Sequence, residues 1–286
     1  MTARNWLTTG LLTLLLPLPA AYAGDVDTQF IFGFAQGSDV GELGEREVEF
    51  QNNGAFGKAD GTYTALGSEL RGEFTPFQNL RLEAGALFTY YSIQGVSGLD
   101  NQDAFQFAGV AVQGRYRVLD RRSAPFGLTV GVEPHWLRVD DTSGQAVTNW
   151  GGPIVVAVDK ELVEDRVFAA FNVLYDPEWS HLPASNSWQQ QSTLGLFAAV
   201  TAQASEGLFL GAEAYYLRSY DGAALNSFSG DGLFLGPTAY WRASQHLAIS
   251  AAWSVQVAGG AVGVVGGLNL QTLTNHQVLL RLEYTF

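Results

Sequence analysis

His276-Gln277-Val278-Leu279-Leu280-Arg281-Leu282-Glu283-Tyr284-Thr285-Phe286 closes the chain, and it alternates. Val278, Leu280, Leu282, Tyr284 and Phe286 fall on one face of an extended strand. Gln277, Leu279, Arg281, Glu283 and Thr285 fall on the other. A period of two is the mark of a strand, because successive side chains point to opposite faces. One face is apolar to its end, while the other carries charge.

The same split recurs upstream. Leu80, Leu82, Ala84, Ala86, Phe88 and Tyr90 oppose Arg81, Glu83, Gly85 and Thr89. Phe126, Leu128, Val130, Val132 and Trp136 oppose Thr129, Gly131, Glu133 and His135. Leu208, Leu210, Ala212, Ala214 and Tyr216 oppose Gly211, Glu213 and Tyr215. Twelve such segments are expected: 45–56, 61–74, 80–92, 104–118, 126–140, 148–160, 166–177, 188–204, 208–220, 232–243, 247–257 and 276–286. Most reach the ~9–11 residues that a tilted strand needs to cross a bilayer. Connections after even segments are short, as at Ser205-Glu206-Gly207. Those after odd segments are longer and polar, as at 95–103, 177–187 and 259–275. An even strand count with this short–long rhythm predicts an all-β, twelve-stranded antiparallel transmembrane barrel. A soluble sandwich would have strands of ~5–6 residues and would not keep one face apolar throughout.

Composition agrees. Glycine supplies 33 residues and aromatics 13%, whereas charged residues are only 15%, against ~25% in a soluble domain. With no cysteine, disulfides, thiolate metal sites and cysteine nucleophiles are excluded. A net charge of −13 argues against nucleic acid, which selects a basic surface.

Residues 1–23 read as a secretory signal peptide: Arg4, an apolar run from Leu7 to Leu18, and Ala21-Tyr22-Ala23 before Gly24. The run is too short for the ~20 residues of a spanning helix. Residues 24–44 precede the first expected strand, and the barrel proper is placed at 45–286. Gln29-Phe30-Ile31-Phe32-Gly33-Phe34 is too apolar for a free tail and is expected to insert in the lumen or line its mouth.

The leader, the alternating segments and the terminal Phe286 together resemble bacterial outer-membrane β-barrel proteins across the whole mature chain. The ending from Arg281 to Phe286 is similar to the strand that the barrel-assembly machinery reads, with Tyr284 and Phe286 as its aromatic signal. Phe32-Gly33-Phe34, 41–47, Ala124-Pro125-Phe126-Gly127-Leu128-Thr129 and Glu133-Pro134-His135-Trp136 resemble a family of uncharacterised proteobacterial outer-membrane barrels. The resemblance implies fold and outer-membrane location and supplies no substrate or reaction; in that membrane the expected partners are its lipids and lipopolysaccharide, met by the acidic loops through divalent ions.

Twelve strands ~4.8 Å apart and tilted ~40° give a backbone radius of roughly 12 Å, narrow once side chains fill it. The face parity puts Glu47, Glu49, Glu69, Glu73, Glu83, Glu133, Asp159, Glu213 and Glu283 inside. It puts Arg71, Arg81, Arg115, Arg117, Arg166, Arg242 and Arg281 there as well. Two readings coexist: Arg–carboxylate ladders bracing the wall, and an ion-selective constriction. His135 is expected to pair with Glu133. Asp100, Asp103, Asp140, Asp141, Asp176, Glu178, Asp221 and Asp231 are expected to form an acidic loop rim.

The leading functional expectation is a channel or narrow porin for small polar solutes or ions, with no cofactor and no catalytic residues. The runner-up is a non-conducting barrel with a structural or surface-interaction role. A lipid hydrolase built on Ser180, His181 and Asn186 ranks third, since a serine and histidine adjacent in sequence are poorly placed for hydrogen-bonded catalysis. An omptin-like arrangement of His135 with Asp140-Asp141 meets a similar objection, because consecutive acids on a strand diverge. The four histidines show no ligand spacing.

Overall fold

A computed structural model describes residues 26–286; the expected leader at 1–23 lies outside them. The strands are β1 (Arg46–Phe56), β2 (Thr62–Phe77), β3 (Leu80–Gln94), β4 (Gln102–Leu119), β5 (Gly127–Val132), β6 (His135–Val139) and β7 (Ala146–Gly151). They continue as β8 (Ile154–Val163), β9 (Val167–Leu182), β10 (Ser187–Ser205), β11 (Leu208–Tyr220), β12 (Phe228–Arg242), β13 (Leu247–Ala261) and β14 (His276–Thr285). All pair antiparallel with their neighbours, and β14 closes on β1 from Glu47↔Thr285 to Phe56↔His276. No sheet edge is left open, which is what a lipid environment demands of a sheet.

Fourteen segments make twelve crossings. β4 pairs with both β5 and β6, and β9 pairs with both β7 and β8. β5 and β6 are therefore halves of one crossing, as are β7 and β8. The expected continuous strands 126–140 and 148–160 are each broken, at Glu133-Pro134 and at Gly152-Pro153. Proline has no N–H to give the ladder, so it ends regular pairing there.

A second correction concerns 177–187. That stretch is strand, with β9 running to Leu182 and β10 starting at Ser187. Its polar residues follow one another across the β9–β10 ladder, Glu178↔Gln191 and Ser180↔Gln189. Paired backbone, rather than side-chain polarity, decides strand status here.

The connections divide the barrel into two ends. Residues 78–79, 120–126, 164–166, 206–207 and 243–246 lie at the turn end; 57–61, 95–101, 140–145, 183–186, 221–227 and 262–275 lie at the loop end. Outside, the wall exposes Phe50, Leu70, Leu82, Val112, Val200, Leu210, Trp241, Trp253, Leu280 and Tyr284. Inside, Arg81, Arg115, Glu49, Glu83 and Asp159 are buried. That is the inverse of a soluble protein and matches a lipid-facing surface around a polar lumen.

Residues 26–44 form no strand, yet Ile31, Phe32, Ala35, Ser38 and Val40 are among the most buried residues of the chain. Val26, Ile31, Phe32 and Ala35 pack on Phe168, Ala170, Ala199, Phe209 and Tyr240, which project inward from β9 to β12. The segment thus sits within the barrel at its turn end, before the chain enters β1.

Candidate functional site: a lumen divided by the N-terminal segment

The wall holds the segment through polar groups that its own backbone cannot satisfy. Ser38 donates from N (3.2 Å) and Oγ (2.6 Å) to Asp159 on β8, and Thr28 Oγ1 donates to the same carboxylate. Glu213 Oε2 on β11 accepts from the amides of Phe34 (2.9 Å) and Ala35 (3.2 Å). Asn172 on β9 both accepts from Gln36 N (2.6 Å) and donates to Gln36 O (2.8 Å). Ser250 on β13 donates to Phe30 O (3.0 Å). Gly127 makes the fit possible: a Cβ there would stand 1.8 Å from Ser38 Oγ. An irregular segment without its own ladder survives burial only when its N–H and C=O groups are paired in this way.

The lumenal arginines divide into two sets. Arg71 bonds Glu69 (2.8 Å), Glu83 (2.6 Å) and Glu133 (3.0 Å). Arg81 pairs with Glu47 and Glu73, with Glu45 and Glu83 each at 3.7 Å. Arg281 meets Glu49 at 3.1 Å, hydrogen-bonds Gln51 (2.9 Å from Nε) and lies 3.9 Å over the Phe30 ring. These three form ladders along the wall over β1 to β3 and β14, reaching Glu133 at the break between β5 and β6. Arg115 instead clamps the segment, donating to Gln36 Oε1 (2.6 Å) and Gly37 O (2.9 Å). Arg117 contacts Asp39 at 3.5 Å, and Arg121 also pairs with Asp39.

Several expected placements differ. Arg166 is exposed in a turn, where parity no longer fixes direction, whereas Arg242 at the end of β12 is exposed where it lines the turn-end mouth of the lumen. His135 does not pair with Glu133. Glu133 bonds Arg71 and Gln113 (2.7 Å), and the carboxylate beside His135 Nε2 is Glu178, at 3.9 Å. The break at Pro134 separates the two residues and spoils the regular pleat that parity assumes. Asp176 and Glu178 belong to β9 and Asp231 to β12, rather than to a loop rim.

Two cavities flank the segment. One of about 370 Å³ opens at the turn end among Asp27, Glu45, Glu47, Arg242 and Glu283. The other, about 600 Å³, lies on the loop side and is lined by Glu49, Glu69, Arg71, Glu83, Glu133, His135, Asp141, Asp176 and Arg281. Phe30 borders both. Asp141 is exposed to the inner cavity but enclosed by the barrel, and burial, Glu178 and Asp140 push its carboxyl up to about 7. Burial lowers Lys58 to about 8, against the pull of Asp141 and Asp140. Lys58 Nζ donates to the carbonyls of Gln271, Thr272 and Leu273 (3.1–3.2 Å) and so pins the 262–275 loop.

The hydrolase arrangement is not assembled. Ser180 Oγ accepts from Asn149 (2.8 Å), while His181 Nε2 meets Asn186 (3.2 Å). Among the described residues no group of His, Asp and Glu is set to hold a metal ion. At the chain end, Tyr284 and Phe286 point outward with their rings 5.2 Å apart, and Phe286 N donates to Arg46 O (3.0 Å) across the closing seam.

A family model matches residues 25–286, the barrel together with its inner segment. The chain belongs to DUF6662, a family of unknown function. No curated protein matches it. Among solved structures it is similar to the COG4313 outer membrane channel from Pseudomonas putida F1, at TM-score 0.65 and 14% identity, covering 87% of this chain and 98% of that one. A NanC porin structure aligns at TM-score 0.49 and 11% identity, over 84% and 100% of the two chains. At these identities the likeness is one of fold: this DUF6662 member has the architecture of an outer-membrane β-barrel.

Proposed function

We propose that the chain is a channel of the Gram-negative outer membrane that passes small polar solutes or ions by diffusion and rests with its lumen narrowed by residues 26–44. The observation that carries this reading is the pair of cavities meeting at Phe30. A barrel whose interior served only as a packed core would have no reason to keep charged, water-accessible space on both sides of one aromatic ring. Similarity of fold to an outer membrane channel supports the reading.

The inner cavity is lined by more carboxylates than arginines, and an acid-lined passage of low dielectric concentrates cations. The bound arginines still matter, because they neutralise part of the wall and hold its carboxylates apart. Export by the leader, insertion by the barrel-assembly machinery through Tyr284 and Phe286, and contact with lipid and lipopolysaccharide complete the proposal.

The test is planar-bilayer conductance of refolded 24–286, of its Phe30→Ala variant and of a form starting at Glu45. Stepwise, cation-preferring current that rises when Phe30 is truncated or the segment removed supports a channel narrowed by that segment. Silence in all three, from protein verified as folded, would replace the channel with a structural or surface-interaction barrel.

A further inference from the structure

Two neighbouring crossings are broken at one level, and their ladder to the next one, the continuous β9, lapses there as well. Val132↔Ile154 and His135↔Gly151 place Glu133-Pro134 opposite Gly152-Pro153. Gly151↔Glu178 and Ile154↔Tyr175 place Gly152-Pro153 opposite Asp176-Pro177. The ladder survives only as Glu133 N→Pro153 O (2.9 Å), Val112 N→Pro134 O (3.1 Å) and Gly152 N→Pro177 O (3.3 Å). Breaks of this kind re-aim side chains and are concentrated beside functional sites.

What they re-aim is distinctive. A cavity of about 250 Å³ opens at this level, continuous with the inner cavity through shared Phe34, Glu133 and Asp176. One side is apolar, made by Phe34, Val155, Leu174 and Phe197. The other presents Asp176, whose Oδ1 is buried and has no hydrogen-bond partner. A second group in the adjoining space is in the same state. His135 has a side chain only 9% exposed, and its Nε2 has no hydrogen-bond partner. Buried polar atoms without partners are costly, about 1–3 kcal/mol each, and call for a ligand or water. Glu133 is already engaged by Arg71 and Gln113, and Glu178 by Asn149 and Gln191. Asp176 is the acceptor left over.

We propose that this cavity binds a small primary ammonium compound with an apolar body. The ammonium donates to Asp176, while the body packs on Phe34, Leu174 and Phe197. An anion would meet a wall crowded with the carboxyl groups of Asp176, Glu133 and Glu178. A neutral solute would bring no positive charge to that wall. A hydrated inorganic cation would gain nothing from the apolar wall. The volume suits the body, since an apolar cavity of about 150 Å³ already takes benzene. As a statement of substrate class the inference rests on the channel reading; as a binding site it does not.

The experiment is calorimetric titration of benzylammonium into the folded full barrel in detergent micelles at pH 7, with benzyl alcohol and benzoate as controls. Saturable one-to-one binding of benzylammonium alone is expected, weakened at least tenfold by Asp176→Asn and unchanged by Asp100→Asn in an exposed loop. Phe197→Ala should weaken benzylammonium and leave methylammonium as it is. Equal binding of benzyl alcohol, or full affinity in Asp176→Asn, would overturn the site. If Asp176→Asn loses the heat-modifiable gel mobility of a folded barrel, Phe197→Ala and the alcohol control decide. Benzylammonium bound by a barrel silent in bilayers removes the channel reading alone; a conducting barrel that binds no amine removes the site alone.

Discussion

Ser38 and Asp159, 121 residues apart, are joined by two hydrogen bonds that converge on one buried carboxylate. The carboxylate also takes Thr28, so a single wall residue fixes both limbs of the N-terminal segment. Asp159→Ala therefore removes several bonds to buried donors at once, a cost of about 1–3 kcal/mol for each donor left unsatisfied. The chain has no cysteine, so Phe32→Cys gives a clean probe of a fully buried position. Its labelling by a water-soluble maleimide should be slow, and faster by at least the roughly 5- to 150-fold that one such bond is worth when Asp159→Ala is added. Equal labelling rates in the two backgrounds would show that Asp159 does not anchor the segment.

Glu213 offers an independent anchor, since it accepts two successive backbone amides. Glu213→Gln keeps one acceptor oxygen and loses the charge, while Glu213→Ala loses both. Charge-assisted bonds are about twice as strong as neutral ones. The same cysteine probe should thus rank Ala above Gln above wild type in labelling rate. An identical rate for all three would remove Glu213 from the set of anchors.

The groups facing the loop end give a pH dependence with a definite sign. Asp141 is held near 7 and Lys58 near 8. Raising pH from 5 to 9 makes the first anionic and the second neutral, so the region loses two units of positive charge. Cation preference, read from the reversal potential in a salt gradient, should increase over that span. Asp141→Asn should erase the lower limb and Lys58→Met the upper. For stability the direction reverses in the first case. A carboxyl raised in the folded state favours the folded form at low pH, and that advantage fades as pH climbs through 7. A reversal potential flat from pH 5 to 9 would contradict the assignment.

Phe286 should matter to assembly more than to the finished barrel. The residue is 73% exposed, and its ring makes one aromatic contact, with Tyr284. Phe286→Ala should lower the amount of heat-modifiable barrel recovered from membranes, while protein refolded in detergent melts close to wild type. A large drop in melting temperature would instead make the ring a structural element of the seam.

The sequence was most legible where one physical rule acts alone. Alternation along Val278 to Phe286 reports directly which side meets lipid, and the positions of Arg81, Glu83, Arg115 and Glu213 follow from parity. Parity fails at Arg166, where the strand has ended. It fails again between Glu133 and His135, although Pro134 stood there as a signal: a proline inside a strand argues for a break, and Pro153 on the next crossing doubles that argument. The stretch 177–187 misled because its composition is that of a loop, whereas inward-facing polar side chains in a wet lumen cost a strand nothing. The anchoring roles of Asp159, Asn172 and Glu213 had no local signal at all. Each is defined by a partner more than a hundred residues away, and nothing in the neighbourhood of Glu213 distinguishes it from a wall-bracing acid such as Glu83.

The inner segment also imposes an order in time. Its partners Asp159, Asn172, Glu213 and Ser250 lie on strands synthesised long after it, and the seam between β1 and β14 joins the two extremes of the barrel. Residues 26–44 emerge before any strand and find their seat only once those strands are in place. Until then Phe30, Ile31 and Phe32 have nothing to cover them, and a bare aromatic stretch of that kind invites wrong association in transit. The stretch that fills the finished lumen is thus the nascent chain's chief liability on its way there, and a chaperone that masks it would be guarding the lumen before there is one.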